Sequence, residues 1–183
     1  MIRTDSLLAN RITTGVAMVS MSTGFAGLTT AQADLVKHWK CCSRGGVLPS
    51  RECLDPGAIK AHLSEISMIE ITETGRARFR LAGSGLRQIF GCEMRGRLLS
   101  DLAQTTFETW SLGLSRALDI GQPIGGLIDR GTNSHAWLRL PLQSERAGAI
   151  VLCHDALIPN VRLKTLSHTQ SHKSVNIDRN IAA

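Results

Sequence analysis

The stretch RARFRLAGSGLRQIFG, residues 76–91, decides the fold. Its first half alternates, with Ala77, Phe79 and Leu81 on one side and Arg76, Arg78 and Arg80 on the other. A period of two with one wet side is a strand on a half-buried sheet. The second half breaks at Gly83-Ser84-Gly85, then places Leu86, Ile89 and Phe90 at helical spacing before Gly91. A glycine just past such a run marks a helix end. The two earlier glycines predict a tight turn with positive φ. Working upstream, Ser67–Thr72 is a second strand-like run, and Thr74-Gly75 joins the two as a hairpin.

Downstream, Phe107, Trp110, Leu114 and Leu118 form one stripe of a longer helix. Thr105 and Glu108 have capping-box spacing at its start, and Gly121 lies just past its end. Three more strands are predicted at Ile124–Asp129, His135–Gln143 and Ala147–Asp155. Turns hold Gly131-Thr132-Asn133 and Ser144-Glu145-Arg146 between them. Toward the N-terminus, Asp34 is placed to cap a helix carrying Leu35, Trp39 and Cys42, which Gly45-Gly46 ends. Asp55-Pro56 opens a second helix with Ile59, Leu63 and Ile66 as its buried stripe. Strands at both ends with helices between them indicate α+β, not a doubly wound parallel sheet.

The chain has 183 residues, 21 Lys and Arg against 15 Asp and Glu, and a net charge of +6. That suits one globular domain. A basic balance invites nucleic acid, but the excess is uneven. Residues 34–159 carry 15 basic and 13 acidic residues, whereas 160–183 carry four and one. Three Trp, four Phe and no Tyr give no aromatic cluster for base stacking, so no specific nucleic-acid partner is expected. Residues 34–159 read as the domain, 1–33 as a poorly ordered leader and 160–183 as a polar basic tail holding His168 and His172. Ala31-Gln32-Ala33 resembles a signal-peptidase site, so export is the alternative to a cytoplasmic location. The stretch before it is too rich in Gly, Ser and Thr to span a bilayer. Five Cys, at 41, 42, 53, 92 and 153, form no CxxC pair. They read as reduced thiols.

Trp39, Arg44-Gly45-Gly46, Leu48-Pro49-Ser50-Arg51 and Asp55-Pro56 come in an order seen in a group of short bacterial PAS-like proteins. So do Phe79-Arg80-Leu81-Ala82-Gly83, Phe90-Gly91, Gly96-Arg97 and Leu140-Pro141-Leu142. Over residues 34–155 the chain resembles that family. The resemblance implies a five-stranded antiparallel sheet with helices inserted between strands two and three, preceded by N-terminal helices. Ser84 stands where the family usually has Thr, and Cys53 where Ala is common.

In a PAS fold a small-molecule cavity would lie between the inner sheet face and the long helix. Phe79, Leu81, Phe90, Trp110, Leu114, Leu138 and Leu140 are the residues expected to line it, and the plainer alternative is a filled core. Arg51 and Arg80 match family positions and either clamp an anionic ligand or partner carboxylate, or tie the N-terminal segment to the sheet through backbone carbonyls or Asp55. Gly83-x-Gly85 resembles a dinucleotide loop, but Gln88 stands where its third Gly would fall. No His is singled out for haem among His38, His62, His135 and His154, and Cys92 lacks the pattern of a flavin photosensor. No cofactor, metal site or catalytic residue is therefore expected, and no enzyme. On strand His135–Gln143, Ala136, Leu138, Leu140 and Leu142 alternate with Trp137 and Arg139, so both faces need cover. The helix of Leu35 and Trp39 or a second subunit would supply it, and a homodimer through that face is expected. The function expected is a single-domain sensory or regulatory module that signals through a protein partner. The alternative is a small-molecule carrier or minor enzyme using the cavity.

Overall fold

The computed structural model describes residues 25–43, 45–144 and 148–159. Arg44, most of the leader, part of the Ser144-Glu145-Arg146 turn and the tail with His168 and His172 lie outside the described residues.

Helix α1 spans Thr30–Cys42, so it begins before Asp34. The cap is Thr29, whose Oγ1 accepts from the Gln32 backbone N–H at 3.1 Å. Gln32 Oε1 in turn accepts from the Leu28 N–H at 3.0 Å. Thr29 and Gln32 thus share the reciprocal logic of a capping box, and Asp34 sits exposed within the helix. The peptidase-like Ala31-Gln32-Ala33 forms part of the first turn of this helix, with Gln32 fully buried.

Asp55 does not start an α-helix. Its Oδ1 accepts from the Gly57 N–H at 2.8 Å, which makes a local Asx turn. A 3₁₀ turn follows at Lys60–Glu65. Ile59 and Ile66 are buried as expected, but Leu63 is 39% exposed.

Five strands follow: β1 (Ile66–Ile71), β2 (Ala77–Ala82), β3 (Ile124–Asp129), β4 (Asn133–Leu142) and β5 (Ala149–Pro159). They form one antiparallel sheet in the order β2-β1-β5-β4-β3. Between β2 and β3 run α2 (Leu86–Phe90), a 3₁₀ turn at Leu99–Asp101, and α3 (Gln104–Ile120). Gly91 and Gly121 end the two helices in the left-handed region, at φ 72° and 60°. The cap of α3 is Ala103, so Thr105 lies inside the helix and not at its cap.

Gly83 and Gly85 answer to a different need from the one expected. Neither has positive φ. A Cβ on Gly83 would stand 2.2 Å from the Leu63 carbonyl oxygen, and one on Gly85 2.8 Å from that of Ser64. These glycines let the α2 entry press against the preceding 3₁₀ turn, where the Gly85 N–H donates to Ser64.

The sheet is covered on both faces by this chain. On one face, α1 lays Leu35, Val36 and Trp39 over Leu138, Leu140 and Leu142 of β4 and over Ile150 and Leu152 of β5. Fully burying each such side chain contributes about 1.5–3 kcal/mol. The Trp39 Nε1–H donates to the Pro141 carbonyl at 2.8 Å, which fixes α1 on the sheet. On the other face, Trp110 and Leu114 of α3 meet Ile69, Phe79, Val151 and Cys153. Of the two covers expected for β4, the helix of Leu35 and Trp39 is the one seen, on the face of Leu138 and Leu140.

Candidate functional site

The two faces of β4 sort its residues by parity. Leu138 and Leu140 face α1. They do not line a space beside α3, which corrects the cavity expected from sequence. Leu81 leaves that list too, at 42% exposure. The β1–β2 register steps from Met68↔Leu81 to Ile69↔Phe79, so Arg80 is an extra residue. A bulge of one residue flips every later side chain to the opposite face. Phe79, Trp110 and Leu114 do lie together in the core on the α3 face, with Phe90 packed against it.

The same parity sends His135, Trp137 and Arg139 toward α3. On β5, Asp155 pairs directly with Trp137, so His135 and Arg139 flank it diagonally. Arg139 holds Asp155 with two prongs, Nη1 to Oδ2 at 2.9 Å and Nη2 to Oδ1 at 3.1 Å. His135 Nε2 donates to Asp155 Oδ1 at 2.7 Å, and Arg139 Nη1 also reaches the Leu138 carbonyl at 2.8 Å. All three side chains are at most 1% exposed.

Aromatic rings close over this group. The Arg139 guanidinium lies 3.9 Å from the centre of the Trp110 ring, a cation–π contact made in a dry site. Phe79 and Phe90 pack edgewise or tilted against Trp110 at 5.0 and 5.4 Å, and Phe90 meets the His135 ring at 6.0 Å. Room for Arg139 comes from Gly113 in mid-helix, where a Cβ would stand 3.3 Å from Arg139 Cγ and 3.2 Å from the Trp137 ring. Gly126 on β3 makes similar room for the Trp137 indole.

Burial opposes a charge on Asp155, but the Arg139 charge and the hydrogen bonds from His135 and Arg139 outweigh it, and the carboxyl stays below its usual value. Arg139 is held charged in the same way. The neighbouring Cys153 thiol is pushed up to about 12, chiefly by burial. Such a thiol is inert at neutral pH. Among the described residues, the buried polar atoms left without a hydrogen-bond partner include Trp110 Nε1, His135 Nδ1 and Arg139 Nε.

Sequence reasoning passed over the Arg139–Asp155–His135 group. The signal was present as His135-x-Trp137-x-Arg139, one face of one strand, but nothing in the sequence says which face meets α3. Arg80 pairs with Glu70 across the β1–β2 hairpin at 3.2 Å, and Arg51 is exposed on a 3₁₀ turn. Asp55 spends its carboxylate on Gly57. Among the described residues no group of three His, Cys, Asp or Glu is arranged to hold a metal, and no helix is long and apolar enough to cross a membrane.

A family model described as a PAS domain matches residues 28–109. No curated protein matches the chain. Among solved structures, a domain of an HTR-like protein from Haloarcula marismortui is similar at 14% identity and a TM-score of 0.40, over 52% of this chain and 99% of that one. The family match runs from α1 into α3, so over residues 28–109 the chain is similar to PAS domains, and the whole described fold is a five-stranded antiparallel sheet with helices between its second and third strands.

Proposed function

We propose that this PAS-like domain is a sensory or regulatory module of signal transduction that works through contact with a protein partner. One observation carries the reading. The space between the sheet and α3, where a PAS cavity would lie, is occupied by the chain's own Trp110, Phe79 and buried Arg139–Asp155 pair. A domain so filled offers its surface, not its interior, to other molecules. The absence of disulfides among the described cysteines suits a reducing, cytoplasmic setting.

The test is reciprocal capture from the native cell with the full chain as bait. A signalling protein that returns the chain when itself used as bait is the expected result. Sedimentation at high concentration tests the further element of this reading, a homodimer. A second reading, a small-molecule carrier, has its own support in the unpartnered Trp110 Nε1, His135 Nδ1 and Arg139 Nε. Native mass spectrometry separates the two: added mass that survives purification would favour the carrier and sink the contact reading.

A further inference from the structure

The last residue of α1 and the last residue of the 3₁₀ turn Arg51–Cys53 are both cysteines. The Cys42 thiol donates to the Cys53 carbonyl at 3.0 Å. The Ser50 hydroxyl donates to Cys53 Sγ at 3.5 Å, and Cys53 is exposed. Covalent geometry then holds the two Cα atoms, and the two sulfurs, within about 8 Å of each other. A disulfide spans Cα atoms about 4.4–6.8 Å apart, so rotation of the two side chains with a small shift of the turn closes the gap.

The connection between the two cysteines has slack for that shift. Gly45 and Gly46 are exposed, and a Cβ at either would meet nothing within 4 Å. The other thiols lie elsewhere. Cys41 precedes Cys42 and so points about 100° away around the helix. It lines a pocket with Asp34, His38 and His62. Cys92 Sγ lies 3.7 Å from Met94 Sδ, and Cys153 is buried on β5. Cys42 is the thiol that reaches the backbone of another cysteine.

We propose that Cys53 and Cys42 form a peroxide-responsive dithiol site, closed to a disulfide by hydrogen peroxide and reopened by thiols. The exposed Cys53 thiolate attacks one peroxide oxygen. Its S–O bond forms as the O–O bond breaks, and hydroxide leaves with the Cys53 proton as water. The Cys42 sulfur then attacks the sulfur of the Cys53 sulfenic acid. The S–S bond forms as the S–O bond breaks, and the departing hydroxide takes the Cys42 proton as a second water. Two thiols and one hydrogen peroxide thus give one disulfide and two waters. The sulfurs lose the two electrons that reduce the peroxide. The closed ring ties the end of α1 to the Arg51–Cys53 turn, and α1 is the helix that Trp39 fixes on the sheet. In a reducing compartment such a bond is transient, which suits a sensor. The proposal goes beyond the protein-contact reading and does not depend on it, because the chemistry belongs to the isolated chain.

The test adds hydrogen peroxide to the reduced full chain, blocks the remaining thiols with a maleimide and maps the tryptic peptides by mass without reduction. The expected result is a link between peptides 41–44 and 52–60, with the loss of two hydrogens, that dithiothreitol reverses. It should form at a rate independent of protein concentration, at least about tenfold faster than any link to Cys92 or Cys153. Cys42→Ala should abolish the link and Cys41→Ser should leave it. Thermal melts check that the variants fold, and the map of the unaltered chain is decisive without them. Cys53 recovered as its maleimide adduct or as sulfinic acid, with no link, overturns the proposal. So does a link that persists in folded Cys42→Ala, or one that forms only between two chains. Reciprocal capture from the cell can succeed or fail whether or not the link forms, so the two readings fall separately.

Discussion

Arg139 and Asp155 sit two residues out of direct register across β4 and β5, and their side chains close that diagonal with two hydrogen bonds of 2.9 and 3.1 Å. Neither side chain is exposed. A buried pair of this kind costs much desolvation, and its attraction in the interior offsets that cost only while both partners remain. Arg139→Met alone leaves a bare carboxylate in the core and should lower stability by about 3–5 kcal/mol. The double change Arg139→Met with Asp155→Leu should cost clearly less than the two single changes added together. Urea denaturation of the three variants measures the coupling, and simple additivity would contradict the pairing.

Acid should unfold the domain through the same carboxylate. Asp155 titrates below its unfolded value, so its contribution is present in full above that value, near pH 3.9, and is lost as pH falls through the lower folded value. Glu65 is also lowered, first by its contact with His154 at 3.2 Å, and adds in the same direction. The urea midpoint should hold steady from about pH 7 to 5 and drop below about pH 4. Asp155→Asn should flatten the acid limb. A limb unchanged in that variant would assign the acid sensitivity elsewhere.

Gly83→Ala should be severely destabilising although φ is ordinary there. The new methyl would stand 2.2 Å from the Leu63 carbonyl oxygen, a backbone atom that has no rotamer to escape into. Overpacking of this kind costs about 1–3 kcal/mol. Gly113→Ala poses the opposite balance. Alanine favours the helix by about 1 kcal/mol, yet its methyl would press on Arg139 and Trp137, both held in the core. A net loss is expected. Thermal unfolding of the two variants decides both, and a gain at Gly113 would show that the Arg139 side chain has room to move.

Trp39→Phe keeps most of the apolar contact of α1 but strands the Pro141 carbonyl. The expected loss is about 1–3 kcal/mol, with amide exchange rising first in α1.

Thiol labelling should proceed in the order of exposure. Cys41 and Cys53 are exposed, and Cys153 is fully buried with its thiol pushed up to about 12. At pH 8 a thiol reagent should modify Cys41 and Cys53 quickly and reach Cys153 only on unfolding. Fast labelling of Cys153 in the folded protein would refute the burial described for β5.

Local patterns along the sequence were enough for the order of the strands and of helices α1, α2 and α3, though not for the segment after Asp55, which is 3₁₀ and not α-helical. The alternation of Arg76–Ala82, the stripe from Phe107 to Leu118 and the glycines closing α2 and α3 depend on neighbours a few residues away. Strand β3 matches its sequence reading residue for residue. The cap of α1 departs from the expectation: it is Thr29, not Asp34, which lies within the helix.

What only the tertiary structure decided is which face of each strand looks where. Alternation separates Leu138 and Leu140 from Trp137 and Arg139, but it carries no label for the face under α1 and the face under α3. One extra residue at Arg80 turned Leu81 outward, and a bulge depends on the partner strand. The meeting of Arg139 with Asp155, sixteen residues apart, needed the β4–β5 register. A strand's own sequence sets its period of two, whereas facing and register are properties of pairs of elements, so they exist only once the chain has packed.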